Sequence, residues 1–137
     1  MKNLRFEMTT SPKAHEIDFL TQKINEDSAG LGKAFPFAIL ARDESGKTIA
    51  GCNGSVIFGS IHTDQLWVHS AYRGKGIGAR LMDQVHEFGR ENRCKLSTVS
   101  TMSFQAPGFY KKLGYAIDFS REGYDDGATY ISMSKKL

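Results

Sequence analysis

Arg73-Gly74-Lys75-Gly76-Ile77-Gly78-Ala79 is the stretch of this chain best suited to chemistry. It is basic and glycine-rich, follows the apolar run Leu66-Trp67-Val68, and opens a segment of helical periodicity. A loop in that place presents bare backbone N–H groups at the positive end of a helix, where they bind an anion such as a pyrophosphate. Its glycines let the backbone approach a ligand where a Cβ would block it. Arg73 and Lys75 add positive charge at the same spot.

Three phosphate-loop patterns compete here. Gly46-Lys47-Thr48 carries the end of the triphosphatase pattern G-x-x-x-x-G-K-[ST]. Its first glycine position is Ala41, however, and Asp43-Glu44-Ser45-Gly46 reads as a hairpin turn between two apolar runs. The dinucleotide pattern G-x-G-x-x-G/A is met by Gly74, Gly76 and Ala79. That pattern belongs on the first strand of a larger doubly wound sheet, with an acidic residue about 20 residues later. Glu91 stands near that distance, but at the end of a helical segment. The third pattern, [QR]-x-x-G-x-[GA], is met by Arg73, Gly76 and Gly78, and Val68-His69-Ser70-Ala71-Tyr72 extends it upstream.

With a strand before it and a helix after it, the third pattern resembles the coenzyme A loop of the Gcn5-related N-acetyltransferase (GNAT) superfamily. Downstream, Phe104-Gln105-Ala106-Pro107-Gly108-Phe109-Tyr110-Lys111-Lys112-Leu113-Gly114-Tyr115 resembles the superfamily's late signature, A-x-x-F-Y-x-x-x-G-[FY]. The resemblance runs from about residue 37 to the C-terminus. It implies an α+β fold in three α/β/α layers, with a mixed central sheet that splays open after its third long strand. The pantetheine arm of acetyl-CoA would lie in the gap like an added strand, against Leu66, Trp67 and Val68. The pyrophosphate would rest on amides from Arg73, Gly74, Lys75, Gly76, Ile77, Gly78 and Ala79. Acetyl-CoA is then a co-substrate, and the reaction is direct transfer of its acetyl group to a primary amine. The attacking amine must lose a proton and the departing thiolate must gain one.

The resemblance also points to individual side chains. Tyr110 matches the superfamily's tyrosine near the coenzyme sulfur and is the expected general acid. Phe109 beside it faces another way on a helix and reads as core. Many members place an asparagine just before the late helix. This chain has Thr101-Met102-Ser103-Phe104-Gln105 there, so Ser103 or Gln105 would have to take its contact with the coenzyme. Members often carry an acidic residue on the third strand, where His62 and Asp64 stand. His62, Asp64, Leu66 and Val68 alternate, which predicts one shared face, with Gln65 and Trp67 on the other. A His–Asp pair could relay the amine proton through water, or select a cationic acceptor. The turn Tyr124-Asp125-Asp126 is a second acidic feature that would favour such an acceptor.

The elements that must position these residues follow from periodicity. Strands are expected at about 3–8, 37–42, 48–58, 61–68, 95–100, 115–119 and 129–134. Gly51 and Gly54 interrupt the strand at 48–58 and mark a bulge. Helices are expected at 11–27, with Ser11 as N-cap and Pro12 at its first position, at 76–92, and at 105–113. Gly30 and Gly32 would end the first helix, and Gly114 the last. Leu81, Met82, Val85 and Phe88 form the buried stripe of the middle helix.

The chain has 137 residues, 40% of them hydrophobic and 24% charged, with a net charge of +3. This suits one domain with a real core. The modest charge, with no arginine stripe interleaved with aromatics, argues against nucleic acid. No apolar run is long enough to span a bilayer, and residues 1–7 hold no apolar signal core, so a cytoplasmic location is expected. Cys52 and Cys94 read as reduced core residues. No pair of histidines has metal-ligand spacing, and no metal is expected. The resemblance is compatible with a homodimer. A non-catalytic acyl-CoA-binding sensor or interaction module is the alternative to an enzyme, because the loop alone serves both.

Overall fold

Residues 34–68 fold as an antiparallel meander of β1 (Ala34–Arg42), β2 (Thr48–Ile57) and β3 (Ser60–Val68). The structure, a computed structural model, describes residues 3–28 and 32–137. Both hairpin turns are built locally. In the first, Asp43 Oδ1 accepts the Ser45 hydroxyl at 2.6 Å and the Ser45 and Lys47 amides at 2.9 and 3.0 Å. The Ser45 hydroxyl, and then the Lys47 amide, hold the Asp43 carboxyl below its usual range. The triphosphatase-like Gly46-Lys47-Thr48 therefore belongs to a hairpin. In the second, Phe58 and Gly59 have φ of 47° and 84°. Two successive positive values suit a two-residue turn whose twist matches its strands.

After β3 come α2 (Ile77–Glu91), β4 (Leu96–Met102), α3 (Pro107–Lys112), β5 (Ala116–Arg121) and β6 (Tyr130–Lys136). The sheet order is β1-β2-β3-β4-β6-β5. β3 and β4 are parallel, and α2 makes the crossover that a parallel pair requires. Leu81, Met82 and Val85 of α2 are buried with Cys52, Ile61, Val99 and Met133 from the sheet, while Phe88 packs against Phe35 and Phe37. Pro107 takes the first turn of α3, where its missing N–H costs nothing. Gly114 follows α3 at φ 95°. Cys52 and Cys94 are both buried and free.

The architecture is the expected α+β arrangement on a mixed sheet, with differences at the N-terminus. Residues 3–8 form no strand: no described residue pairs with their backbone, and Phe6 is 94% exposed. α1 spans Ala14–Asp27 and is preceded by Lys13, so neither Ser11 nor Pro12 starts it. The Thr9 hydroxyl accepts the Ser11 amide at 3.0 Å, closing a separate turn upstream. α1 buries no side chain, and it joins the sheet through the Asn25 carboxamide, which bonds both the N–H and the C=O of Ala34. Gly30 lies outside the described residues. No helix among the described residues is long and apolar enough to cross a membrane.

Candidate acyl-coenzyme A and acceptor site

β3 and β4 pair only from Ser60–Leu96 to Thr63–Val99. Beyond Thr63 the two strands part, while β3 stays paired with β2 as far as Val68. The backbone of residues 64–68 therefore has an open edge toward β4. His69 N donates to Ile49 O of β2 at 2.8 Å. Adjacent residues turn their backbone polar groups to opposite edges, so the Val68 carbonyl faces the opening. There it accepts a hydrogen bond from Arg73 Nε at 2.8 Å. Thr63, at the last paired position, is 2% exposed, and its hydroxyl has no hydrogen-bond partner among the described residues.

The loop lies beside this opening. His69 accepts the Ala71 amide through Nδ1 at 3.0 Å and turns the chain into a short 3-10 segment, Ser70–Tyr72. Gly74 and Gly76 then take φ of 76° and 80°. A Cβ at either would meet nothing within 4 Å, so conformation rather than space demands glycine. Gly76 is the N-cap of α2, which leaves the first amides of that helix without intrahelical partners. Gly78 is constrained differently, because a Cβ there would lie 3.2 Å from the Phe109 ring.

A groove of about 590 Å³ runs from the opening to this loop. Leu66, Trp67 and Val68 line one part of it, and Arg73, Gly74, Gly76, Ile77, Gly78 and Ala79 another. Lys75 does not line it; its ammonium sits 5.8 Å from the centre of the Tyr72 ring. Tyr72, Ala106 and Phe109 also line the groove and were missed in the sequence. Phe109 packs against the core, as expected, and the close approach of Gly78 also brings its ring to the groove. The glycine spacing is the one sequence signal that could have found it. The groove fits a ligand with an anionic group at the loop and an amide-bearing chain along the open edge of β3.

Tyr110 is 7% exposed, packed between Phe109 and Tyr115 at centroid distances of 5.1 and 5.6 Å. Its phenol makes no hydrogen bond to another described residue. Burial, and then the nearby Cys52 thiol, push its pKa above the ordinary phenol value. Behind it, the Tyr115 hydroxyl shares hydrogen bonds of 2.7 Å with both His86 Nε2 and Ser97 Oγ. Burial pushes Cys52 up to about 11, so its thiol is un-ionised at neutral pH.

The expected alternation on β3 is broken. Asn53 pairs with Gln65 but Gly54 pairs with Thr63, which leaves Asp64 as an extra residue. This bulge inverts the sidedness across it. Leu66 and Val68 lie with Thr63 on the face toward α2, whereas His62 lies with Gln65 and Trp67 on the opposite face. Gly54 makes the bulge feasible, since a Cβ there would overlap the His62 carbonyl oxygen. His62 Nε2 stands 3.3 Å from Asp64 Oδ1, and His62 Nδ1 stands 2.7 Å from Thr98 Oγ1. The Asp64 side chain is 56% exposed against 29% for His62.

Ser103 and Gln105 lie outside the groove lining. Ser103 Oγ accepts the Thr129 amide at 3.0 Å, and Gln105 Oε1 accepts the Met102 amide at 2.9 Å. Both thus secure the end of β4. Tyr124 stacks on Tyr130 at 6.0 Å, and the Arg121 guanidinium covers the Phe119 and Tyr130 rings, at the β5 edge of the sheet. His15 is exposed on α1 and does not line the groove.

A splayed mixed sheet with a glycine loop at the head of its crossover helix defines an acyl-coenzyme A-dependent transferase fold. The profile of the acetyltransferase (GNAT) domain matches residues 36–117, and the chain belongs to that family. It is 38% identical over 102 residues to blasticidin-S acetyltransferase of Streptomyces morookaense, covering 74% of this chain and 75% of that one. An acetyltransferase from Bacillus cereus ATCC 14579 superposes with a TM-score of 0.75 at 26% identity, over 96% of this chain and 98% of the other. An aminoglycoside 6'-N-acetyltransferase complexed with coenzyme A shares the fold, with a TM-score of 0.66 at 17% identity over 74% of this chain and 72% of that one.

Proposed function

We propose that this acetyltransferase moves the acetyl group of acetyl-CoA directly to a primary amine of a small cationic acceptor, with blasticidin S the first acceptor to test. The observation that carries this is the opening between β3 and β4, with the Arg73–Ala79 loop beside it. The identity to blasticidin-S acetyltransferase supports the choice of acceptor. Bound acetyl-CoA supplies the thioester: the amine nitrogen bonds the acetyl carbon, the C–S bond breaks, and the thiolate departs.

The chain's own groups then have distinct tasks. The amides of Gly74 and of the Gly76–Ala79 stretch, with Arg73, hold the pyrophosphate. The edge of β3 at Leu66–Val68 pairs with the pantetheine amides, and Arg73 Nε would yield the Val68 carbonyl to them. Tyr110 stays protonated at neutral pH and donates to the departing thiolate. On the opposite face, His62 meets Asp64 through Nε2 and the Thr98 hydroxyl through Nδ1, so both ring nitrogens are engaged. Asp64, more exposed and with free lone pairs, is the group that faces the amine; it draws in the cation and passes its proton to water. Un-ionised Cys52 offers no acyl-enzyme route, which favours direct transfer.

Thiol release from acetyl-CoA against a panel of amines tests the proposal. Acceptor-dependent release with blasticidin S, lost in Tyr110→Phe, is the expected result. No release with any amine, while coenzyme A still binds by calorimetry, would turn the reading toward a binding module.

A further inference from the structure

On the face of the sheet that carries His62, a second hollow of about 380 Å³ lies over β1, β2 and β3. Two cross-strand rows build it. Leu40, Gly51 and Trp67 form one row, and Ala38, Asn53 and Gln65 the next. Gly51 puts no side chain between its neighbours, and Leu40 leans over it: a Cβ on Gly51 would lie 2.8 Å from Leu40 Cδ2. Trp67 is 49% exposed beside this apolar floor. No charged side chain lines the hollow.

Asn53 and Gln65 stand directly opposite each other on adjacent strands. Neither carboxamide makes a hydrogen bond to another described residue. Each offers one acceptor oxygen and two N–H donors. An aromatic face beside two unengaged carboxamides matches a flat, uncharged ring with donors and acceptors on its edge. A charged group has no partner in this hollow, and it would be better served at Asp64.

We infer that this hollow is an acceptor subsite that takes a pyrimidine-like base, stacked on Trp67 and hydrogen-bonded at its edge by Asn53 and Gln65. The inference rests on the reading of this face as the acceptor side, and it narrows the acceptor class. Asp64 lies three residues from Trp67 along β3, so ring and amine would be roughly 10 Å apart in the acceptor. Acceptors joining a heterocyclic base to an amine fit that span.

Trp67 is the only tryptophan of the chain and lines both this hollow and the coenzyme groove, so its emission is read first in the absence of coenzyme A. Cytosine is the probe, titrated without acetyl-CoA or turnover. Saturable quenching is expected, weakened at least fivefold in Asn53→Ala/Gln65→Ala, with the same cytosine affinity when coenzyme A is saturating. Gln65→Ala alone, at an exposed position, is the second variant should the double one melt early. Quenching no greater than that of free N-acetyltryptophanamide would overturn the inference. So would equal quenching by the variants, displacement by coenzyme A, or ribose quenching as well as cytosine does. Thiol release run in parallel separates the two readings. Cytosine binding without turnover supports the subsite and removes the transferase; turnover without cytosine binding does the reverse.

Discussion

The Tyr110 phenol lies among Phe109, Tyr115 and the Cys52 thiol without a hydrogen bond to another described residue, and its raised pKa keeps the proton on at neutral pH. The hydroxyl has no partner among the described residues to lose, which leaves it free to donate to a ligand. Tyr110→Phe should therefore leave the melting temperature unchanged or slightly raised and the coenzyme A affinity intact. It should lower kcat by about 10²-fold or more, the ordinary contribution of a positioned acid; unchanged kcat in a thiol-release assay would remove Tyr110 from the reaction. Gly76 makes the opposite case, because its role is conformational. A side chain at φ 80° has open space around it but costs roughly 1–2 kcal/mol of backbone strain. Gly76→Ala should weaken coenzyme A about tenfold by calorimetry, as the α2 amides lose their aim, with kcat at saturation nearly preserved.

At the level of elements, the bulge in β3 decides which side chains meet. Periodicity located the loop, α2, α3 and the meander strands, because each has a strong local pattern and a turn residue at its ends. It also singled out Gly54 as irregular. It could not say that the extra residue sits on the partner strand at Asp64, since a bulge depends on pairing across strands. Consequently His62 was placed on the wrong face, and the rows that join Asn53 to Gln65 and Gly51 to Trp67 were invisible. Residues 3–8 differ for the converse reason: their alternation is strand-like, but no described residue pairs with them. If Gly54 licenses the bulge, Gly54→Ala must push the strands apart or erase the extra residue. The overlap with His62 O should cost roughly 1–3 kcal/mol or more. The melting temperature should fall, and with it the activity that depends on Asp64. Gly108→Ala, where a Cβ meets nothing within 4 Å, is the matched control and should melt like the wild type.

For the whole molecule, the buried string His86–Tyr115–Ser97 ties α2, the start of β4 and the segment after α3 into one core. In one ordering Ser97 donates to Tyr115, and Tyr115 donates to an unprotonated Nε2 of His86. Burial keeps the imidazole neutral in the fold. The Lys135 and Arg90 charges reinforce this and Asp83 opposes it, and the pKa falls from 6.5 to about 4. An unfolded chain would protonate the same imidazole near 6.5. Between these values the unfolded state binds more protons, so stability rises with pH. His86 thus contributes no penalty above about pH 6.5 and a growing one as pH falls toward 4. Linkage with these two values gives a loss of about 2 kcal/mol by pH 5, which for a domain of this size is about 7 °C in melting temperature. His86→Gln keeps a hydrogen-bonding group for Tyr115 but cannot titrate. Its melting temperature should start lower at pH 7.5 and change less on going to pH 5, so the two curves converge. Parallel curves in a calorimetric series over that range would show that His86 is protonated in the folded protein, or that the acid sensitivity of the core arises elsewhere.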